Sequence, residues 1–153
     1  MASTKREDWF RPGAAVHLFF LRGEELLMAR RHNTGYEDGK LSVVAGKLDG
    51  GEQVVQAAIR EAREEAGVEL QPEQVEIVGI MHRMSGSGEW VDFFVTVRDW
   101  PGEPVNCEPH KCSEFRWVRT TDLPADTIPY IRRAVDNYVQ GHWFDSFGWT
   151  LIE

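Results

Sequence analysis

Residues 46–68 constrain the fold more than any other part of the sequence. They read GKLDGGEQVVQAAIREAREEAGV, a glycine-rich loop followed by an acidic helix. Over residues 52–66 the apolar side chains recur at the 3.6-residue period of a helix, and Gly67 is typical of a helix end. They form a single stripe: Val55, Ala58, Ile59, Ala62 and Ala66. A helix with one apolar stripe has to cover another element, so this segment predicts a helix packed on a sheet.

Three acids of this helix are placed where they should repel one another. Glu61, Glu64 and Glu65 are spaced i, i+3 and i+4, so their side chains are neighbours on the helix surface. Each like-charge pair destabilises a helix by roughly 0.2–0.5 kcal/mol. The acids also lie near the negative end of the helix dipole. A solvated acidic face is one interpretation; a bound cation that offsets the repulsion is the other.

Short apolar runs on both sides of this helix predict strands. Turn-forming residues separate the runs, which are 14–21, 25–31, 41–45, 75–84, 90–100 and 114–118. A second amphipathic helix is predicted over 127–141, with its inward face made by Ile128, Ile131, Ala134, Val135, Tyr138 and Val139. Strands before, between and after two helices indicate an α/β fold in which a mixed β-sheet is sandwiched between helices.

Length and composition indicate an ordinary globular protein. The 153 residues suit one domain. Residues 1–8 are expected to be a flexible tail, and residues 9–153 a single domain. The formal net charge of −8 works against general binding to nucleic acid or to anionic membranes. The N-terminus lacks the apolar core of a secretory signal and only two cysteines are present, so a cytoplasmic protein with reduced thiols is expected.

The loop and the acidic helix together suit a divalent cation. Mg²⁺ and Mn²⁺ prefer hard oxygen ligands and bridge carboxylates to the phosphates of a substrate. Carboxylates at i, i+3 and i+4 present several oxygens to one volume, and a glycine-rich loop lets backbone groups approach it. The pattern therefore favours Mg²⁺, or Mn²⁺, as the cofactor.

Residues 46–68 resemble the Nudix box, G-x5-E-x7-R-E-U-x-E-E-x-G-U, in which U is a bulky apolar residue. The matching positions are Gly46, Glu52, Arg60, Glu61, Glu64, Glu65, Gly67 and Val68. The first U position holds Ala62, a smaller apolar residue. The short chain looks most like the MutT-type group of small bacterial members.

The resemblance implies roles for the box residues. Glu61, Glu64 and Glu65 would bind the divalent metals, although Glu61 could instead accept the proton of the attacking water. The family commonly adds a backbone carbonyl from the residue before the box, which is Ala45 here.

Other residues in and beyond the box acquire implied roles in the same way. Glu52 and Arg60 look like the family's internal salt bridge, which orients the glutamates. Many members recruit a further carboxylate from a distant loop; Glu108 is the first candidate here and Glu114 the second, and both could be ordinary surface acids.

The implied reaction is hydrolysis of a nucleoside diphosphate linked to another group. For a MutT-type enzyme the substrate is a (deoxy)nucleoside triphosphate, and the products are the monophosphate and pyrophosphate. ADP-ribose, a nucleotide sugar or a dinucleotide polyphosphate is the alternative. A non-catalytic nucleotide sensor is a third interpretation. Sensors of the Nudix family usually lose box carboxylates, whereas this chain retains them. The additional downstream motif typical of NADH pyrophosphatases is not found.

Substrate contacts should come largely from outside the acidic helix. Gly46 and Lys47 of the loop are candidates. The other candidates are aromatic or polar residues of the predicted strands and loops: Tyr36, Trp90, Phe10, His82, Arg83, Asn33 and Asp92. Each has a structural alternative, since Tyr36 could pack its own loop, Trp90 could belong to the sheet and His82 could be a satisfied histidine.

Two further clusters have structural interpretations. Cys107, His110 and Cys112 could suggest zinc, but three soft ligands without a second cluster do not complete a tetrahedral site. The aromatic C-terminal segment contains Trp143, Phe144, Phe147 and Trp149. We expect these side chains to dock on the sheet or to form a homodimer contact.

Overall fold

A computed structural model describes residues 8–150 of the chain. Most of the predicted tail, residues 1–7, lies outside the described residues. Strands and helices follow one another in the order β1 (Gly13–Arg22), β2 (Glu25–Arg31), β3 (Leu41–Ser42), β4 (Val44–Lys47), α1 (Val54–Ala66), β5 (Val75–Ser85), β6 (Gly88–Val97), β7 (Cys112–Arg119), α2 (Pro129–Gln140) and β8 (Phe144–Phe147). Neither of the two helices found between residues 8 and 150 is long and apolar enough to span a bilayer.

The strands form one mixed sheet with β1 near its centre. β1 pairs in parallel with β6 and antiparallel with β4, while β5 and β6 form an antiparallel hairpin. β8 extends the sheet by pairing in parallel with β5. β2 pairs with the end of β1 and with β3 and β7. The mixed sheet expected from the sequence is therefore confirmed.

Side chains of β1 are buried on both faces of the sheet. Val16, Leu18 and Phe20 belong to the apolar cluster that includes α1. Phe19 and Leu21 belong to the cluster that includes α2. Because successive strand residues point to opposite faces, one strand supplies both cores. The sheet therefore lies between the two helices, as predicted.

Helix α1 begins at Val54 and not at Glu52, and Gln53 is its N-cap residue. Glu52 is thus left in the loop, where its side chain can pair with the helix. The helix ends as predicted at Gly67, which has a left-handed φ of 66°. The N–H of Gly67 donates to the carbonyl of Arg63, and the N–H of Val68 donates to the carbonyl of Ala62. The most buried apolar face consists of alanines, Ala57, Ala58, Ala62 and Ala66. Small side chains there let the helix backbone lie close to β4, whose backbone at Ala45 and Gly46 contacts the glutamates of the helix.

Several predicted boundaries were wrong. The run 41–45 contains two strands, because β3 pairs with β2 whereas β4 pairs with β1. β4 continues through Gly46 and Lys47, which the sequence had assigned to the loop. β6 ends at Val97, before Asp99, whose positive φ of 58° leaves the extended conformation.

The second helix and the C-terminus also differ from the prediction. Val139 was expected to face inward but is 48% exposed, because it lies in the last turn of α2, while Tyr130 in the first turn is buried. The C-terminal segment forms strand β8. In this strand Phe144 is exposed, and Phe147 packs against the α2-side core.

Candidate active site

Two of the three glutamates of α1, Glu61 and Glu65, lie against strand β4. Glu61 is buried, with 7% of the residue exposed, and Glu64 has a half-exposed side chain. The backbone N–H of Ala45 in β4 donates to Glu65 Oε2 over 3.1 Å. This contact fixes Glu65 beside the backbone of the residue expected to offer a carbonyl to the metal.

Arg60 joins the loop to the glutamates. Its Nη2 and Nε donate to the two carboxylate oxygens of Glu52, at 2.7 and 3.2 Å, so the predicted salt bridge is present. Its Nη1 donates to Glu61 at 2.7 Å and to Glu64 at 3.2 Å. The bonded Glu52 carboxylate, above all, raises the pKa of Arg60. One fixed cation therefore positions three acids.

A second loop brings a further carboxylate to the cluster. The N–H groups of Val105 and Cys107 donate to the carbonyls of Ala66 and Glu65, the last residues of α1. This anchoring places Glu108 within hydrogen-bonding reach of the Glu65 side chain. Asn106 accepts from the Glu108 backbone N–H and donates to the Cys112 carbonyl, so it holds the loop in shape. Sequence reasoning did not identify Asn106, since a lone loop asparagine gives no distinctive signal.

The alternative candidate, Glu114, has different partners. Its Oε1 accepts from Arg30 at 2.6 Å and from Arg116 at 3.0 Å. The Arg30 hydrogen bond lowers the pKa of Glu114. The structure thus brings Glu108 into the glutamate cluster and holds Glu114 in a separate ion-pair network.

The cluster carries more negative charge than its protein cation can balance. Burial, together with the charges of Glu61 and Glu108, raises the pKa of Glu65 to about 9. Burial also raises the pKa of Glu61, and the adjacent Glu64 and Glu108 add to the effect although Arg60 opposes it. A divalent cation would favour the charged forms of these groups. The chemistry of the donors therefore fits the Mg²⁺ or Mn²⁺ that the sequence predicts.

The ligands are not arranged as a closed cage. Within residues 8–150, no group of three or more His, Cys, Asp or Glu side chains is arranged to hold a metal ion. Glu61 and Glu64 instead bond to Arg60. Mg²⁺ keeps several waters and is commonly held by one or two carboxylates together with substrate phosphates, so its binding does not require a preformed group of three ligands.

The raised pKa of Glu65 predicts how stability depends on pH. The folded protein retains a proton that the unfolded chain loses above its ordinary pKa of 4.5, so the free energy of unfolding should fall as pH rises from about 4.5 to about 9. Glu65→Gln should flatten most of this slope in EDTA, leaving a part that comes from Glu61. Urea unfolding across this pH range measures the effect.

Glu69→Gln, at an exposed acid outside the cluster, is the matched control and should keep the wild-type slope. Mg²⁺ should restore stability to the wild type at high pH but not to Glu65→Gln. A wild-type stability that stays constant over this pH range in EDTA would contradict the raised pKa.

Gly46 is required by the close approach of β4 to Glu61. A Cβ built on Gly46 would lie 2.0 Å from Glu61 Oε1 and 2.1 Å from its Cδ. Gly46→Ala should therefore displace the Glu61 carboxylate, and we expect about a 10²-fold lower kcat/KM because such a shift misplaces a reacting group. Gly86→Ala is the control, since a Cβ there meets nothing within 4 Å. Equal activity of the two variants would show that the position of Glu61 is unimportant.

Two candidate substrate contacts, Arg83 and Asp92, belong to a buried polar network on the other face of the sheet. Arg83 donates from Nε to Asp92 Oδ2 at 2.6 Å and from Nη2 to Oδ1 at 3.1 Å. His17 Nε2 lies 3.0 Å from the same Oδ1. Asp92 is fully buried, so its carboxylate serves this network and is not open to a ligand. His17 was not predicted, although a histidine inside the apolar run AAVHLFFL is a usable signal.

Three other candidates, Tyr36, Asn33 and His82, contact neighbouring groups of the protein. Arg31 donates to the Tyr36 carbonyl and lies over the Tyr36 ring, so Tyr36 packs its own loop. Asn33 contacts the neighbouring His32 ring. His82 bonds Glu89 at 2.7 Å and contacts the Trp149 ring.

The cysteines, His110 and the terminal aromatic residues fall outside the glutamate cluster. Cys107 Sγ lies against Gly67, and Cys112 donates to the carbonyl of Glu114. His110 and Phe10 are exposed, Phe10 by 66%. Trp143 is 68% exposed and stays, with Phe144, a predicted homodimer contact.

Known proteins match this fold and site. The NUDIX domain family model matches residues 10–138. A curated relative, the NAD-capped RNA hydrolase NudC of Stutzerimonas stutzeri (strain A1501), is 28% identical over 132 residues. The match covers 77% of this chain and 39% of that relative, so the chain spans well under half of the relative's length.

Solved structures with the same fold include a MutT NUDIX hydrolase from Burkholderia pseudomallei, with a TM-score of 0.75 and 24% sequence identity. The match covers 83% of this chain and 98% of the Burkholderia chain. The E. coli ORF135 protein has a TM-score of 0.72 and 22% identity, covering 85% of this chain and 90% of its own. These similarities to solved structures show the fold, and the family model, which spans residues 46–68, shows the family. The chain therefore belongs to the Nudix family of hydrolases, enzymes that act on pyrophosphate bonds.

Proposed function

We propose that the substrate is a (deoxy)nucleoside triphosphate, which is hydrolysed to the monophosphate and pyrophosphate with Mg²⁺ as the cofactor. The observation that carries the metal dependence is the crowding of Glu61, Glu65 and Glu108, which raises the pKa of Glu65 to about 9. A protein site with that many acids and one arginine is suited to bind a cation–phosphate complex. A cytoplasmic location would supply both the nucleotide and the metal.

In this proposal the acids divide into ligands and a base. Glu64, Glu65 and the Ala45 carbonyl would hold the metal, with Glu108 as a further ligand. When bound, the metal would neutralise phosphate oxygens and lower the pKa of a bound water. Glu61 is the candidate base, since burial raises the pKa of its carboxyl and a raised pKa makes the carboxylate a stronger proton acceptor. Arg60 holds Glu61 in place and thereby orients the proton acceptor.

A dinucleotide is the second candidate substrate. It is favoured by the 28% identity to a relative named as a hydrolase of NAD-capped RNA. Against it stands the lack, within the 153 residues, of the downstream motif typical of NADH pyrophosphatases. Both candidates contain a pyrophosphate linkage, so they differ in product and not in bond type.

Product analysis separates the two candidates. Purified protein with Mg²⁺ is incubated with each of the common nucleoside triphosphates or with NAD, and products are resolved by anion-exchange chromatography and ³¹P NMR. The proposal expects monophosphate and pyrophosphate from at least one triphosphate and little turnover of NAD. Release of AMP and nicotinamide mononucleotide from NAD as the dominant reaction would favour the second candidate. Glu64→Gln serves as the control for contaminating phosphatases.

A further inference from the structure

A cavity beside the glutamate cluster lies between β2, β3, β4 and the loop that carries Glu108. Glu65 and Glu108 line it, which brings two acids of the cluster to its wall. Ser42 and Lys111 line it as well and supply side-chain hydrogen-bond donors. Of the lining residues that the structure describes, Phe115 is the single aromatic one. The cavity therefore suits the phosphate end of a substrate better than its nucleobase, which requires rings to stack on.

The turn 106–112, which carries Glu108, is fixed by its own hydrogen bonds. The Glu108 carbonyl accepts from the N–H of Lys111 at 2.9 Å. The Lys111 carbonyl accepts from the N–H of His32 at 2.9 Å, which ties the turn to the residue after β2. Asn106 accepts from the Glu108 N–H at 3.1 Å, as described above. These contacts fix the backbone of Glu108 and Lys111 relative to each other and to the sheet.

The turn presents an acid and a cation to one cavity without pairing them. Glu108 and Lys111 are three residues apart, yet among residues 8–150 the Lys111 ammonium forms no ion pair with Glu108 or with another acid. The ion pair that a lysine does form in that part of the chain joins Lys40 to Glu37 at 2.8 Å. Lys111 is exposed, so its charge is open to a ligand that enters the cavity.

Other cations around the acids are already engaged. Arg60 pairs with acids of the loop and the helix. Arg31 donates from both Nε and Nη2 to its own loop. Lys47 Nζ lies 5.6 Å from the centre of the Trp90 ring, and that ring covers the backbone of Gly13. A phosphate brought to the cavity by a metal would therefore find its uncommitted positive charge at the turn.

We propose that Lys111 binds the substrate phosphate that is farthest from the nucleoside, and that it holds the pyrophosphate after hydrolysis. This inference rests on the proposed function and specifies how the phosphate chain is oriented. A lysine ammonium is a compact point charge that binds phosphate oxygens well. With Glu108 directed to the metal and Lys111 to the terminal phosphate, one turn holds both parts of a metal–phosphate complex.

The kinetic test compares Lys111→Ala and Lys111→Arg with wild type, using the triphosphate that wild type hydrolyses fastest. We expect Lys111→Ala to raise KM about 10- to 100-fold with a smaller change in kcat, because a hydrogen bond between charged groups is lost. Lys111→Arg keeps the charge and should stay within a few-fold of wild type. Since the side chain is exposed, thermal unfolding of both variants should match wild type.

Lys40→Ala is the matched control. It removes the same charge from a neighbouring exposed loop, where Lys40 pairs with Glu37. KM should be unchanged in this variant, because the ammonium of Lys40 already has an acid as its partner. A KM increase in Lys40→Ala as large as that in Lys111→Ala would show a general effect of charge and would contradict a specific contact.

Product inhibition provides a readout that a merely structural role would not give. Pyrophosphate should inhibit Lys111→Ala more weakly than wild type, by about the factor of the KM increase, whereas inhibition by the nucleoside monophosphate should be unchanged. A displaced turn would weaken both products, since Glu108 would move with it. Equal weakening of both products, or an unchanged KM, would overturn the inference.

The outcome is distinguishable from failure of the proposed function. If wild type releases no pyrophosphate from any triphosphate, the function fails, and calorimetric titration with inorganic pyrophosphate and Mg²⁺ then tests Lys111 alone. Binding that weakens in Lys111→Ala and not in Lys40→Ala supports the contact. Equal binding to Lys111→Ala and wild type, or no binding to wild type, would refute it.

Discussion

Glu64→Gln should lower kcat for nucleotide hydrolysis by about 10²–10⁴-fold, the range expected when a metal ligand or proton-transfer group is lost. The substitution keeps the shape of the side chain and removes its charge. Glu64 is half exposed, and its side chain bonds to Arg60 Nη1 at 3.2 Å. Little stability should be lost with so exposed an ion pair, so the effect is expected on activity and not on folding.

Steady-state kinetics at several Mg²⁺ concentrations measure this effect, and thermal unfolding checks the fold. Glu69→Gln is the control, since it removes an exposed acid just beyond the helix. An activity of Glu64→Gln within a few-fold of wild type at saturating Mg²⁺ would remove Glu64 from the catalytic machinery. A large loss together with a lowered Tm would point instead to a structural role.

Asp92→Ala should destabilise the protein by about 3–5 kcal/mol, because it leaves the buried Arg83 charge without its partner. Asp92 is fully buried and accepts hydrogen bonds from Arg83, while His17 lies 3.0 Å from the same carboxylate. At about 2–4 °C per kcal/mol for a domain of this size, Tm should fall by about 6–20 °C. Calorimetry or urea unfolding at neutral pH measures the change.

The double variant Arg83→Met/Asp92→Leu tests the reason for this loss. Replacing both charges by apolar residues removes the unpaired cation, so the double variant should be more stable than Asp92→Ala. Equal destabilisation of the two would show that packing, and not the uncompensated charge, determines the cost. The exposed ion pair Glu24–Arg119 offers a control, since Glu24→Ala should change stability by less than about 1 kcal/mol.

The architecture and the acidic cluster were largely predictable because they depend on local patterns. Each of these patterns involves residues that are close together in the sequence. They are the 3.6-residue apolar stripe of α1, the glycine at its end and the apolar runs of the strands. The C-terminal strand β8 was missed, because its pairing with β5 depends on a partner more than 60 residues away in the chain. Val139 was misassigned because helical periodicity does not show that the last turn of α2 leaves the core.

Among the site residues, local spacing identified the box acids but could not rank the distant ones. The sequence placed Glu108 and Glu114 on the same segment, with nothing local to show which one reaches the helix. Two backbone hydrogen bonds to the end of α1 place Glu108 at the cluster, and Arg30 holds Glu114 elsewhere. The pairing of Asp92 with Arg83 and His17 could likewise not be assigned from the sequence, since three separate strands supply these residues.

The sequence by itself determined the reaction class, because spacing along one helix places the carboxylates on one surface and the family pattern lies within a contiguous segment. Only the tertiary structure decided which charges are compensated. It buried Glu65 beside Glu61 and Glu108, neutralised Asp92 with Arg83, and laid Trp90 on Gly13 with Lys47 alongside. The physical reason is that desolvation and charge pairing depend on distances between residues far apart in the chain, which local periodicity does not specify.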